Sequence, residues 1–183
     1  SITVNVVDVN KERIRKWNDE NLSNLPIFEP GLPEIINKCR YQNLWFSNKL
    51  KESIEIADMI FICVNTPTKV TGIGAGQASD LKWVEVSARQ IAEFAKTNTI
   101  VVEKSTIPVK TAETIRTILN SSISNSKIKQ KSVSVLSNPE FLSEGTAIND
   151  LQNPDRVLIG GEDPESINAL EEIYLKWVAK SKI

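Results

Sequence analysis

Short runs of β-branched and other apolar residues alternate along the chain with segments whose apolar positions recur at helical spacing. The runs have the length and composition of buried strands, and the segments between them have the period of amphipathic helices. The pattern predicts strands over residues 2–8, 43–47, 59–64, 99–103, 132–137 and 156–160. It predicts helices over residues 11–18, 31–39, 49–57, 80–96, 107–120 and 164–178, and a polar surface loop over residues 121–132. This alternation is typical of a mostly parallel sheet with helices on both faces, an α/β fold.

The composition is that of an ordinary globular protein. Of 183 residues, 40% are hydrophobic and 25% are charged, and the formal net charge is -1. No basic field favours nucleic acid or an anionic membrane, and the longest apolar run, residues 59–64, is far too short to cross a bilayer. Because the rhythm of strands and helices is unbroken, we expect one domain over residues 1–183.

The chain has no histidine, which removes the commonest general base and metal ligand. Its two cysteines, Cys39 and Cys63, are not spaced as a metal site or as a disulfide scaffold. We expect both to be buried or half-buried, with no metal and a reducing, cytoplasmic setting.

Asp8 ends the first predicted strand, as an acidic residue ends the second strand of a dinucleotide-binding Rossmann unit. There it would accept hydrogen bonds from the adenosine ribose and select NAD over NADP. Alternatively, Asp8 or Asn10 simply caps the helix that begins at Lys11. Arg13, one turn into that helix, could reach a pyrophosphate or be solvated. From these residues alone the alternatives stay open.

Polar residues also follow two other predicted strands. Residues 65–68 come after the strand 59–64, where a ligand of an open α/β sheet would lie, although their spacing alone favours an ordinary turn. Ser105 and Thr106 follow the strand 99–103 and are natural helix caps. The glycines of residues 72–76 lack the context of a phosphate loop and favour a flexible loop leading to a helix capped by Asp80.

Two carboxylates, Glu140 and Glu144, follow the strand 132–137. If residues 142–147 are helical, the two share one face, and their repulsion would raise one pKa into a range that suits a general base. Two solvated acids at a helix start explain the same residues.

Seven ordered segments together resemble the UDP-glucose 6-dehydrogenases of the UDP-glucose/GDP-mannose dehydrogenase family. They are residues 6–10, 25–32, 64–69, 103–109, 136–142, 144–147 and 153–161. The resemblance implies a Rossmann-like, doubly wound NAD-binding domain and the oxidation of UDP-glucose to UDP-glucuronate. That reaction uses two molecules of NAD and passes through a cysteine thioester.

The resemblance also implies roles for individual residues. Asp8 and Arg13 would hold the adenosine half of NAD. The remaining cofactor contacts would be Val64, Asn65, Thr66, Pro67, Thr68, Ser105, Thr106 and Glu144. Glu140 would be a general acid/base, and Thr106 would position water. The sugar nucleotide would lie against Glu140, Phe141, Leu142, Ser143 and Glu144. Residues 104–110 would form a mobile switch coupled to inhibition by UDP-xylose.

In the family pattern a first strand and a glycine-rich loop would precede Ser1, and a catalytic lysine, a nucleophilic cysteine and a UDP-binding domain would follow Ile183. We therefore expect residues 1–183 to be a truncated domain that is inactive alone and binds NAD weakly, and the full-length enzyme to be a homo-oligomer. Two alternatives remain: a dehydrogenase of another nucleotide sugar, such as GDP-mannose, and a non-catalytic subunit or binding module.

Overall fold

The structure, a computed structural model, describes residues 2–72, 75–95, 98–105, 111–124 and 133–183, without the side chains of Thr111 and of residues 121–124. The chain forms two compact units. One consists of Ser1–Ser53 and Phe141–Asp155, and the other of Ile54–Glu140 and Arg156–Ile183. That residues 1–183 make up a single domain stays a prediction.

Five strands and seven α-helices lie within the described residues. In chain order they are β1 (Val4–Val7), α1 (Lys11–Trp17), α2 (Leu32–Cys39), β2 (Leu44–Ser47), α3 (Leu50–Glu55), β3 (Met59–Ile62), α4 (Lys82–Phe94), β4 (Thr99–Glu103), α5 (Thr111–Ser124), β5 (Val133–Ser137), α6 (Ala147–Gln152) and α7 (Pro164–Tyr174). Short 3-10 turns lie at Leu22–Asn24 and Lys180–Lys182.

The first unit is organised around β1 and β2, which pair in parallel from Val4 opposite Leu44 onward. Its core joins the sheet to α1 and α2 and consists of Ile14, Ile36 and Phe46. Trp17 at the end of α1 stacks on Phe46, with ring centroids 5.0 Å apart. Because both strands run the same way, Asp8 and Ser47 lie at one edge of this sheet, and the Asp8 amide donates to the Ser47 carbonyl at 3.2 Å.

The second unit is organised around the parallel sheet β3-β4-β5. One face carries Val102 and Leu136, which pack against Leu170 and Tyr174 of α7. The other face is equally buried, α5 packs against β5, and α4 packs against α5. Burial on both faces explains why these strands are apolar at successive positions instead of alternating. The α/β fold with parallel strands is thus confirmed.

Several local predictions were wrong. Residues 156–160 form no strand, and only Gly160 pairs with Ser137, in an antiparallel bridge with both hydrogen bonds at 2.8 Å. Helix α6 was not predicted, and α5 continues to Ser124, into the segment predicted as a loop. The rest of that predicted loop, residues 125–132, lies outside the described residues.

The helix predicted to begin at Asp80 begins at Lys82. Asp80 still satisfies one of its first amides, because its carboxylate accepts from the Lys82 N–H at 3.0 Å.

Candidate functional site

An open cleft of about 250 Å³ lies at the carboxyl ends of the three strands of the second unit. Each strand contributes to its wall: residues 63–66 follow β3, Lys104 and Ser105 follow β4, and Glu140 lies three residues beyond β5. The carboxyl edge of a parallel sheet is where open α/β folds bind their ligands, because the connecting loops diverge there.

Ser105 fixes the chain as it leaves β3. Its buried hydroxyl donates to the Ile62 carbonyl at 3.2 Å and accepts from the Val64 N–H at 3.1 Å. The Lys104 amide adds a third bond, to the Ile62 carbonyl at 3.1 Å. The two loops after β3 and β4 are therefore held together at the wall of the cleft, and the Ser105 hydroxyl is occupied by the backbone.

Lys104 is held by a polar cluster that reaches from β5 to α7. Its ammonium lies 3.3 Å from the Asn138 amide oxygen and 3.4 Å from the Tyr174 hydroxyl. The Tyr174 hydroxyl donates to the same Asn138 oxygen at 2.6 Å, and the Asn138 Nδ2 donates to the Leu158 carbonyl at 2.8 Å. Buried polar groups are stable when partnered in this way. The cluster places a positive charge on the cleft wall.

Glu103, the last residue of β4, is buried although it is ionisable, with only 1% of its surface exposed. Burial raises the pKa of its carboxyl to about 7, although the Ser105 amide and the Lys104 charge oppose that rise. One carboxylate oxygen has no hydrogen-bond partner among the described residues. The residue that precedes Lys104 and Ser105 of the cleft wall thus carries a carboxyl that titrates near neutral pH.

Cys63 lies one residue past the end of β3 and is exposed, which corrects the prediction that it lies within a strand and is buried or half-buried. Desolvation of its sulfur by the surrounding protein nonetheless raises the pKa of the thiol to about 11, and the Lys104 charge opposes this rise. The thiol stays protonated at neutral pH and is not an activated nucleophile.

The loop beyond Thr66 turns back on itself. Pro67 accepts from the Asp80 amide at 2.7 Å, Thr68 bridges to Ser79, and the Lys69 amide donates to the Ala78 carbonyl at 2.7 Å. This short antiparallel ribbon leads from the cleft to α4. Residues 73 and 74, inside the predicted glycine-rich loop, lie outside the described residues.

The segment after Glu140 belongs to the first unit. Phe141, Leu142, Ser143 and Glu144 are exposed, and residues 144–146 form a turn before α6 begins at Ala147. The expectation that Glu140 and Glu144 share a helix face is therefore wrong, because residues 142–146 are not helical. Asp150 stabilises this turn by accepting from the Ser143 amide at 3.0 Å and the Thr146 hydroxyl at 2.9 Å.

Asp8 and Arg13 are brought together in the first unit, with the Arg13 guanidinium 2.8 Å from the Asp8 carboxylate. The other Asp8 oxygen accepts from the Asn10 amide at 2.8 Å, while Asn10 caps α1 by accepting from the Arg13 amide at 3.1 Å. Asn10 is thus the cap, and Asp8 orients both the cap and the arginine.

The structure therefore groups Val64, Asn65, Thr66, Ser105 and Glu140 in one cleft, with Pro67 and Thr68 leading out of it. Thr106 and residues 107–110 of the predicted switch lie outside the described residues. Sequence reasoning gave no role to Glu103, Asn138 or Tyr174. A charged residue that ends an apolar strand, as Glu103 does, was the available signal.

Comparison with known proteins supplies the family. Residues 1–178 match the model of the NAD binding domain of the UDP-glucose/GDP-mannose dehydrogenase family. The chain belongs to that family. A UDP-glucose 6-dehydrogenase of Drosophila melanogaster is 53% identical over the whole chain, and one of Gallus gallus is 52% identical. The chain spans 38% and 36% of these two relatives.

Solved structures of family members share the fold. A UDP-glucose dehydrogenase from Pyrobaculum islandicum matches 96% of the chain, and 39% of its own, with a TM-score of 0.82 and 30% identity. A GDP-mannose dehydrogenase from Pseudomonas aeruginosa matches the same shares with a TM-score of 0.81 and 29% identity. The chain is thus built as the NAD-binding domain of this dehydrogenase family is built.

Two further findings hold for the described part of the chain. No helix there is long and apolar enough to cross a membrane. No group of three or more histidine, cysteine, aspartate or glutamate side chains there is arranged to hold a metal ion.

Proposed function

We propose that the chain supplies the NAD-binding part of an enzyme that oxidises UDP-glucose to UDP-glucuronate in two hydride transfers. The observation that carries this proposal is the cleft at the carboxyl ends of β3, β4 and β5, lined by Thr66, Ser105 and Glu140. The identity of 53% with a UDP-glucose 6-dehydrogenase favours UDP-glucose over the other nucleotide sugars.

The residues present fit NAD. Asp8, at the carboxyl end of β1, presents an acceptor for ribose hydroxyls and would repel the phosphate that distinguishes NADP. Arg13 pairs with it and would hold its carboxylate in one orientation. Val64, Asn65, Thr66, Pro67 and Thr68 would line the cofactor, with Ser105, Thr106 and Glu144 on its nicotinamide side.

NAD supplies the hydride acceptor, and the chain's residues supply binding and proton transfer. Glu140 would take a proton from the sugar hydroxyl or from the water that discharges the thioester, with Thr106 positioning that water. Glu140, Phe141, Leu142, Ser143 and Glu144 would border the sugar nucleotide. Neither Cys63, whose thiol stays protonated, nor Cys39 on α2 would form the thioester.

The proposal includes a homo-oligomeric enzyme in the cytoplasm. The two cysteines of the chain are free thiols, as is usual in a reducing compartment.

A chimera tests the proposal. Residues 1–183 would replace the matching segment of the Drosophila melanogaster relative, to which they align over their whole length. We expect this chimera to reduce NAD with UDP-glucose. Glu140→Gln should lower kcat by about a hundredfold or more, because a general base contributes about that much.

The matched control Glu93→Gln, at an exposed position of α4, should leave kcat unchanged. A chimera that folds but does not reduce NAD with UDP-glucose would contradict the proposal that the chain supplies the NAD-binding part of such an enzyme. A chimera with full activity after Glu140→Gln would contradict the proposed base.

A further inference from the structure

Glu29 is a buried acidic residue in a segment to which no function has been given. It lies in residues 25–32, between α1 and α2, and only 8% of its surface is exposed. One of its carboxylate oxygens accepts from the Gly145 amide at 2.9 Å, across 116 residues of sequence. The bond joins the turn before α2 to the turn that carries Glu144.

The backbone on both sides is shaped for this contact. Gly31 and Gly145 have φ values of 84° and 86°, in the left-handed region that glycine adopts without strain. A Cβ built on Gly31 would stand 3.6 Å from the Ile148 side chain, so the two segments lie against each other. Gly31 therefore lies against the start of α6.

Glu29 and Asp150 hold the turn at residues 143–146 from two sides. Asp150 accepts from Ser143 and Thr146 within the same segment, whereas Glu29 reaches Gly145 from a distant one. Without Glu29, the turn would keep its local bonds but lose its hydrogen bond to the segment before α2. A turn with fewer hydrogen bonds to the rest of its unit has more freedom to reorient than one with more such bonds.

The choice of an acid also calls for a reason. The second Glu29 oxygen is buried and has no partner among the described residues, and a buried carboxylate is costly unless its interactions are strong. The bond to the Gly145 amide accounts for an acceptor at this buried position.

We propose that Glu29 is a positioning residue, which fixes the turn at residues 143–146 and thereby holds Glu144 where it meets the cofactor. This inference rests on the proposed function for the role of Glu144. The bond between Glu29 and Gly145 stands on the geometry of the first unit alone.

Amide hydrogen exchange at Gly145 tests the bond in the chain itself. Glu29→Ala and the similarly sized Glu29→Met remove the acceptor and should speed exchange by about tenfold, since the net contribution of one hydrogen bond corresponds to about that factor. Glu29→Gln keeps an acceptor and should preserve most of the protection. Glu34→Ala, at an exposed position of α2, is the control and should change nothing.

The chimera tests the consequence. Glu29→Met should raise KM for NAD by about tenfold, because a misplaced Glu144 would lose its contact with the cofactor and one lost hydrogen bond corresponds to about that factor. Glu29→Gln should keep KM for NAD within about threefold of the value for the unsubstituted chimera. Unchanged exchange at Gly145 would overturn the proposal. Faster exchange with an unchanged KM for NAD would overturn the positioning role. An inactive unsubstituted chimera would count against the proposed function, and exchange at Gly145 would still decide whether Glu29 holds the turn.

Discussion

Replacing Glu103 with glutamine should change how the stability of the chain depends on pH. Glu103 is 1% exposed, and one of its carboxylate oxygens has no partner among the described residues. Burial raises the pKa of its carboxyl from 4.5 to about 7. Glutamine has nearly the same shape, so it keeps the packing and removes only the titration.

The sign and size of the effect follow from the two pKa values. Between pH 4.5 and about 7 the folded chain holds the Glu103 proton while the unfolded chain releases it. The free energy of unfolding therefore falls as pH rises through this window. The stabilisation is complete below the unfolded pKa, and most of it is lost once pH passes the folded pKa. At about 1.4 kcal/mol per pKa unit, the loss is roughly 3 kcal/mol.

Other carboxyls act in the opposite direction and do not obscure the comparison. The pKa values of Glu12, Asp19 and Asp163 are lowered, first by hydrogen bonds from Arg15, from the Asn21 amide and from Ser166 respectively. Their stabilisation is lost as pH falls, equally in both variants. It therefore cancels in the difference between the wild-type chain and Glu103→Gln.

Urea unfolding followed by fluorescence of the four tryptophans would measure the difference. At about pH 5 the wild-type chain should be at least as stable as Glu103→Gln, and by about pH 8 its relative stability should have dropped by roughly 3 kcal/mol. Glu93→Gln shows what the loss of an exposed carboxyl does to the same curve. Parallel curves for the wild-type chain and Glu103→Gln would refute a neutral-range titration of the buried acid.

Three further changes test the packing and the site. Ser105→Ala should lower the free energy of unfolding in urea by about 1–2 kcal/mol, because both hydrogen bonds of its hydroxyl to the β3 loop are lost. An unchanged midpoint would contradict the stabilising role of these two bonds. Gly161→Ala should cost about 1–3 kcal/mol, because its Cβ would overlap the packed Leu136 side chain. Gly160→Ala, where a Cβ meets ordinary contacts, should cost far less. In the chimera, Asp8→Asn should narrow the preference for NAD over NADP by about tenfold, measured as a ratio of kcat/KM, and an unchanged ratio would remove Asp8 from cofactor selection.

The strands could be predicted where burial alone decides their composition. Residues 99–103 and 133–137 are covered on both faces, so an apolar run was a sufficient signal. Residues 156–160 have a similar composition, yet their backbone finds other partners: the Val157 amide donates to the Lys182 carbonyl at 2.7 Å, and Gly160 meets Ser137. Composition indicates that a segment is buried, but tertiary context decides whether its backbone joins a ladder.

The site could be predicted at the level of strand ends but not of side-chain partners. The sequence left open whether Asp8 is a ribose acceptor or a helix cap. In the structure Asn10 caps α1, and Asp8 supports this cap by accepting from the Asn10 amide. The hypothesis that Glu140 and Glu144 share a helix face was wrong because α6, which is only six residues long, begins at Ala147. So short a helix carries too little periodicity to fix its start.

Three buried polar residues each fix the backbone close to a residue with a proposed role. Ser105 holds the β3 loop that carries Val64, Asn138 fixes the chain two residues before Glu140, and Glu29 holds the turn that carries Glu144. Each is buried and bonded to backbone, so none is free to contact a ligand with the same atoms. In each segment a buried residue therefore fixes the backbone close to a half-buried or exposed residue with a proposed role. A substitution at a fixing residue should alter affinity through geometry, whereas one at an exposed neighbour should alter it through a lost contact.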